Sequence, residues 1–151
     1  MIYKTNSGEI ELDTVLLDLN GTLTEYGSYH PQVPELMNKL KESDYRIILL
    51  TWDQRNNSEL FEHLWMEVVL AKSAEEKKQF ALSLQSEKIV AIGNARIDIG
   101  MFDVAKLRIG TIQKEWIHVE ILSHIDILVP NIIDAFALLL DKDVFAATMK
   151  A

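Results

Sequence analysis

Short apolar runs alternate along this chain with stretches in which apolar residues return every three or four positions. The continuous runs at 15–19, Arg46–Thr51, 88–93, Leu107–Thr111 and 125–129 read as strands buried on both faces, with a shorter strand at Glu67–Leu70. Between them the spacing predicts helices. Pro34 opens one that carries Leu36, Met37 and Leu40, and 57–65 sets Leu60, Phe61 and Leu64 on one face. A helix over 74–84 turns Phe80, Ala81 and Leu84 inward; others cover 99–105 and 116–123. Asn131 caps Ile132–Leu140, and more helix follows Asp143. Ahead of all these, Ile2–Thr5 and 9–12 flank Asn6-Ser7-Gly8, a hairpin signature. Strands apolar throughout, rather than on alternate positions, belong to parallel sheets covered on both faces. The expected architecture is therefore α/β, a doubly wound parallel sheet with helices on both faces and an N-terminal β-hairpin. With no repeat or linker, 1–151 forms a single domain.

Composition narrows the partners. A net charge of −8 without any Lys/Arg run argues against nucleic acid. The absence of cysteine removes disulfides and thiolate metal sites. The first residues lack the apolar core of a leader, and no apolar stretch is long enough to span a bilayer, so no membrane association is expected and the cytoplasm is the expected location. His30, His63, His118 and His124 show no metal-ligand spacing, and Trp65 and Trp116 are expected in the core.

The chemistry concentrates where strands end. Asp18-Leu19-Asn20-Gly21-Thr22 follows the first buried strand, at the sheet edge where open α/β folds place their ligands. Thr51-Trp52-Asp53 ends the second, and Gly93-Asn94-Ala95-Arg96-Ile97-Asp98 ends the strand at 88–93. Lys77 sits near the start of the helix at 74–84, with Lys72 as a competitor. A carboxylate nucleophile attacking a phosphate must overcome repulsion between two anions. A Lys, a Thr hydroxyl and a hard cation held by oxygen ligands would supply the missing positive charge.

In this order the segments resemble the four motifs of the haloacid dehalogenase-like (HAD) superfamily, and within it the phosphorylation domain of P-type ATPases and their small soluble relatives. Thr51-Trp52-Asp53 looks like their T-G-D, 74–77 like P-x-x-K, and 93–98 like G-D-G-x-N-D. The resemblance implies an aspartyl-phosphate on Asp18, with Thr51 and Lys77 holding the phosphoryl group. It implies Mg²⁺ bound by Asp18, the Asn20 carbonyl, Asn94 and Asp98, and substrate contacts from Gly21, Thr22, Trp52, Asp53 and Arg96. The chain departs from the pattern in three places. Asn20 stands where an acid–base Asp is usual, Asn94 is a neutral ligand, and Ala95 and Ile97 replace Gly and Asn. General acid–base help is typically worth 10²–10⁴-fold, so slow turnover is expected. Neither 23–45 nor 53–74 has room for a cap domain. The open site would suit a large phosphorylated substrate, or closure by a second copy of the chain. The competing expectation is a binding or regulatory domain that kept the fold and lost the chemistry.

Overall fold

The computed structural model describes residues 1–53 and 64–151. The expected helix at 57–65 lies outside the described residues except at its last two positions, as do His63 and most of the segment after Asp53. Strands β1 (Ile2–Thr5) and β2 (Gly8–Glu11) form an antiparallel hairpin. Strands β3 (Thr14–Leu17), β4 (Arg46–Thr51), β5 (Glu67–Leu70), β6 (Ile89–Gly93), β7 (Leu107–Thr111) and β8 (Ile127–Val129) form a six-stranded parallel sheet in the order β5-β4-β3-β6-β7-β8. Helices α1 (Val33–Glu42), α2 (Ala74–Ser83), α3 (Ile99–Phe102), α4 (Ile132–Leu140) and α5 (Lys142–Thr148) complete the described elements.

Successive residues of a strand face opposite ways, so each apolar strand feeds two cores. Val15, Leu17, Ile47, Leu49, Val90 and Ile92 pack with Met37 and Leu40 of α1 and Phe136 and Leu139 of α4. Leu16, Ile48, Leu50 and Ala91 face the other way, onto Ala81 of α2 and Met101 and Phe102 of α3. Full burial of each such side chain is worth about 1.5–3 kcal/mol, which is why the strands are apolar without alternation. The hairpin joins the first of these cores through Tyr3. Its ring stacks on Phe145 with centroids 3.9 Å apart, and its hydroxyl meets the Tyr45 hydroxyl and the Leu139 carbonyl.

Two expectations need correction. Trp65 and Trp116 are 85% and 71% exposed rather than core residues, and both have left-handed backbones that turn the chain at the surface. The helix expected at 116–123 contracts to a short 3₁₀ segment, Val119–Ser123, because the left-handed Trp116 ends any regular helix there. The helix expected at 99–105 begins earlier, as a 3₁₀ turn at Arg96–Asp98, and its α part stops at Phe102.

Helices α2 and α3 meet at Gly100. A Cβ there would lie 1.8 Å from the Ala74 carbonyl oxygen, backbone against backbone, with no flexible side chain to move aside. Overpacking of this kind costs typically 1–3 kcal/mol, occasionally more. Gly100→Ala is expected to cost about 3 kcal/mol in urea unfolding. An unchanged unfolding midpoint would show that the two helices are free to slide apart.

Candidate active site

The strand order decides where a ligand can enter. From β3 the chain moves outward to β4 and β5, then returns to lay β6 on the other side of β3. The loops after β3 and β6 therefore run in opposite directions, opening a crevice at the carboxyl edge. Leu17 is the common neighbour of Leu49 and Ile92, so the segments after it emerge side by side. The Asp18 N–H still donates to the Ile92 carbonyl at 3.0 Å, which fixes the carboxylate to the end of the sheet.

Lys77 reaches this point from α2. The Ser73 hydroxyl accepts the Glu76 N–H and starts the helix, putting Lys77 one turn in, on the buried face. The side chain is fully buried, and its ammonium donates to Asp18 Oδ1 at 2.8 Å and Asp98 Oδ1 at 2.6 Å. Lys72 is exposed, so the lysine beside Asp18 is Lys77. Asp98 Oδ2 accepts the N–H groups of Asn94 and Ala95, both at 2.9 Å. Gly93 makes that loop possible, since a Cβ there would lie 2.5 Å from Asp98 Oδ2. With both oxygens engaged, Asp98 anchors Lys77 and the loop after β6.

The charges oppose one another. Burial pushes the Asp18 carboxyl up to about 7, and the Asp98 carboxylate adds to this while Lys77 opposes it. Burial pushes the Lys77 ammonium down, but Asp98 and Asp18 outweigh it and hold the group above its ordinary range. Two carboxylates sharing one ammonium leave a net negative site.

The loop after Asp18 is held from below. Gly21 adopts φ +76°, and a Cβ there would fall 2.2 Å from Asn94 Nδ2. The Thr22 hydroxyl donates to Asn94 Oδ1 at 3.2 Å, and Asn94 Nδ2 donates to the Trp116 carbonyl at 2.8 Å. Two buried residues that sequence reasoning missed complete the support. The Thr111 hydroxyl donates to the Gly21 carbonyl, and Gln113 Nε2 donates to the Thr22 carbonyl while its Oε1 accepts the Ile132 N–H. Their signal was weak: Thr111 ends β7, at the same sheet edge as Thr51. From β4, the Thr51 hydroxyl accepts the Asp53 N–H at 3.0 Å and keeps its own proton to donate. Asn20 Nδ2 donates to Asp53 Oδ2 at 3.1 Å.

Hydrogen bonds thus join Asp18, Lys77, Asp98, Asn94 and Thr22 into one cluster. Gly21 lies against Asn94 in the loop after Asp18, and Asn20 of the same loop bonds Asp53, whose N–H meets Thr51. Trp52 is half exposed beside Thr51. Arg96 points elsewhere, paired with Glu120 at 2.6 Å. Among the described residues no three His, Asp or Glu side chains converge as a metal cluster. The oxygens that could face a hard cation are Asp18 Oδ2, the Asn20 carbonyl and Asn94 Oδ1, a set with one charge. Mg²⁺ commonly binds through one or two carboxylates together with substrate phosphate, so this donor set fits Mg²⁺ as a phosphate-dependent site.

No protein-family model matches the sequence, and no curated protein matches it. Solved structures do match. The cobalt-bound deoxy-D-mannose-octulosonate 8-phosphate phosphatase of Haemophilus influenzae superposes with a TM-score of 0.74 at 13% identity, over 92% of this chain and 93% of that one. The 3-deoxy-D-manno-octulosonate 8-phosphate phosphatase of Moraxella catarrhalis, solved with magnesium, phosphate and KDO, gives 0.70 at 14% identity, over 91% and 92%. A phosphoserine phosphatase in its apo form gives 0.67 at 13%, over 85% and 98%. The chain shares the fold of these phosphatases, without a cap domain among the described residues. No helix among them is long and apolar enough to cross a membrane.

Proposed function

We propose that this chain is a phosphohydrolase that works through an aspartyl-phosphate on Asp18. The observation that carries the reading is the fully buried Lys77 ammonium spanning Asp18 and Asp98 at the mouth of the switch-point crevice. Burying three charges there costs several kcal/mol per ion before pairing, and a fold without chemistry has no need of it.

One Asp18 oxygen attacks phosphorus, the bond to the leaving oxygen breaks, and the leaving group departs with the electron pair. Water then attacks the same phosphorus, the bond to Asp18 breaks, and inorganic phosphate is released with the carboxylate restored. Splitting the reaction in this way replaces one difficult step by two easier ones. Lys77 keeps Asp18 oriented and lies beside the phosphoryl oxygens as they arrive, with Asp98 holding it in place. The Thr51 hydroxyl has a proton to donate to the same oxygens. Bound Mg²⁺, held by Asp18, the Asn20 carbonyl and Asn94, would supply the remaining positive charge that lets two anions meet. Two phosphatases that share the fold are octulosonate 8-phosphate phosphatases, one of them solved with magnesium and phosphate, and this supports a phosphorylated substrate here. The capless crevice leaves room for a large substrate or for a second copy of the chain to close it.

The second reading, a binding domain on a retired phosphatase fold, is favoured by Asn94, whose amide is spent on Thr22 and the Trp116 carbonyl. Borohydride trapping separates the two. Protein incubated with acetyl phosphate and Mg²⁺, then reduced, is expected to carry homoserine at position 18 in peptide mass spectra. Unmodified Asp18 under conditions that turn over substrate would sink the covalent mechanism.

A further inference from the structure

On the motif resemblance set out above, Asn20 stands where an acid would protonate the leaving group, and its hydrogen bond to Asp53 decides which half of its amide is on offer. Its nitrogen donates to Asp53 Oδ2 at 3.1 Å, and Asp53 is 6% exposed, with its own N–H bonded to the Thr51 hydroxyl. A carboxylate can only accept, so the amide nitrogen is the atom committed to Asp53 and the oxygen is the atom left for a ligand. An amide oxygen has no proton to give. Among the described residues the neighbouring groups do not replace it. The Lys77 ammonium is shared between two carboxylates, and Asp98 has both oxygens engaged by Lys77 and two backbone N–H groups.

We propose that the site is selective for phosphate compounds whose leaving group departs as a stable anion, acyl phosphates and phosphoanhydrides, and discriminates against alkyl phosphate esters; this rests on the phosphohydrolase reading above. When the Asp18 oxygen attacks phosphorus and the opposite P–O bond breaks, the electron pair stays on the leaving oxygen, because no proton arrives. A carboxylate, whose conjugate acid has a pKa of roughly 4, or a phosphate, at about 6, carries that pair readily at neutral pH. An alkoxide is about as basic as hydroxide and far too strong a base to leave readily at neutral pH without a proton. Asp53 is the positioning residue in this scheme. It keeps the amide oxygen turned toward the ligand, where it can accept a hydrogen bond from the water that later attacks the aspartyl-phosphate, orienting that water without deprotonating it.

The test is kcat/KM with Mg²⁺ for acetyl phosphate, methyl phosphate and a series of ring-substituted phenyl phosphates, on wild type and three variants. Asn20→Asp alone sets two carboxylates against each other, so Asn20→Asp combined with Asp53→Asn, which exchanges amide and carboxylate, is the companion variant; Asp53→Asn is the third. The wild-type rate is expected to fall steeply as the leaving group becomes more basic. A carboxyl at position 20 is expected to gain about 10²–10⁴-fold on methyl phosphate and less than tenfold on acetyl phosphate. Asp53→Asn is expected to slow all substrates alike. A shallow wild-type slope, or equal gains on both substrates, would overturn the selectivity. Loss confined to methyl phosphate in Asp53→Asn would make Asp53 the acid and overturn it too. No turnover of any substrate by wild type, with no adduct on Asp18, would remove the phosphohydrolase reading itself, a result distinct from a shallow slope.

Discussion

Replacing Asp18 by Asn should bring acetyl phosphate hydrolysis down to the rate in buffer while leaving the fold at least as stable as before. An amide cannot form the acyl phosphate, so the loss falls on the chemical step rather than on binding. Stability should move the other way because of what the carboxylate costs. Burial, with Asp98 adding to it, raises the Asp18 carboxyl from 3.8 to about 7. A group raised on folding contributes stability that is fully present below its unfolded pKa and is lost as pH rises through the folded one. For metal-free wild type, this contribution is therefore lost between pH about 4 and about 7, and the Asn variant lacks that loss. Urea unfolding of both proteins in chelator at pH 4, 5, 6 and 7 is expected to show wild type losing ground to the variant as pH rises. Residual Mg²⁺-dependent turnover in the variant would transfer the nucleophile's role to another group. A parallel pair of stability curves would show that Asp18 is not charged against a cost.

Lys77→Met carries the larger structural penalty. The ammonium is fully buried, and its removal leaves the Asp18 and Asp98 carboxylates facing each other without a cation. Breaking a buried ion pair by removing one partner costs about 3–5 kcal/mol, a large share of the about 5–15 kcal/mol that holds a domain together. With the ammonium gone, the Asp18 carboxyl loses what holds it down, so burial and the Asp98 carboxylate push it further up. The sign is then the same as before: stability is present at low pH and lost as Asp18 ionises. Lys77→Met is expected to be most stable in mild acid and close to unfolding at pH 7, the reverse of ordinary acid denaturation. Adding Asp98→Asn should restore part of the loss, because one of the two orphaned charges disappears. Circular dichroism melts across the pH range would check this. A Lys77→Met protein as stable at pH 7 as wild type would mean that water or a cation already neutralises the site, and the argument for the buried triad would fall.

Much of this site was legible in the chain, and the reasons are local. An apolar run that stops at a carboxylate and turns through Asn-Gly-Thr can be read without knowing what lies beside it, and so can Thr51 at the end of Arg46–Thr51 and Gly93-Asn94 at the end of β6. The helix at 74–84 was equally readable, but not which lysine it turns inward. Lys72 and Lys77 differ only by their position relative to that start, and burial distinguishes them only once α2 lies on the sheet. Arg96 looked like a substrate contact because it sits inside the motif, yet the 3₁₀ turn that aims Asp98 inward points Arg96 at Glu120. Thr111 and Gln113 were passed over because their partners, Gly21 and Thr22, lie 90 and 91 positions away.

What the amino-acid order determined alone was the parallel α/β sheet and the strand ends that carry polar groups, Asn20 among them, since each depends on neighbours within a few residues. Only the tertiary structure decided how those groups act together. It set Lys77 between Asp18 and Asp98, spent Asn94 on Thr22 and Trp116, turned the Asn20 nitrogen toward Asp53, and left Trp65 and Trp116 in solvent. The physical reason is that ion pairing and burial are properties of a place in space. A hydrophobic period records which face of an element is inward, but not which charge it will meet there.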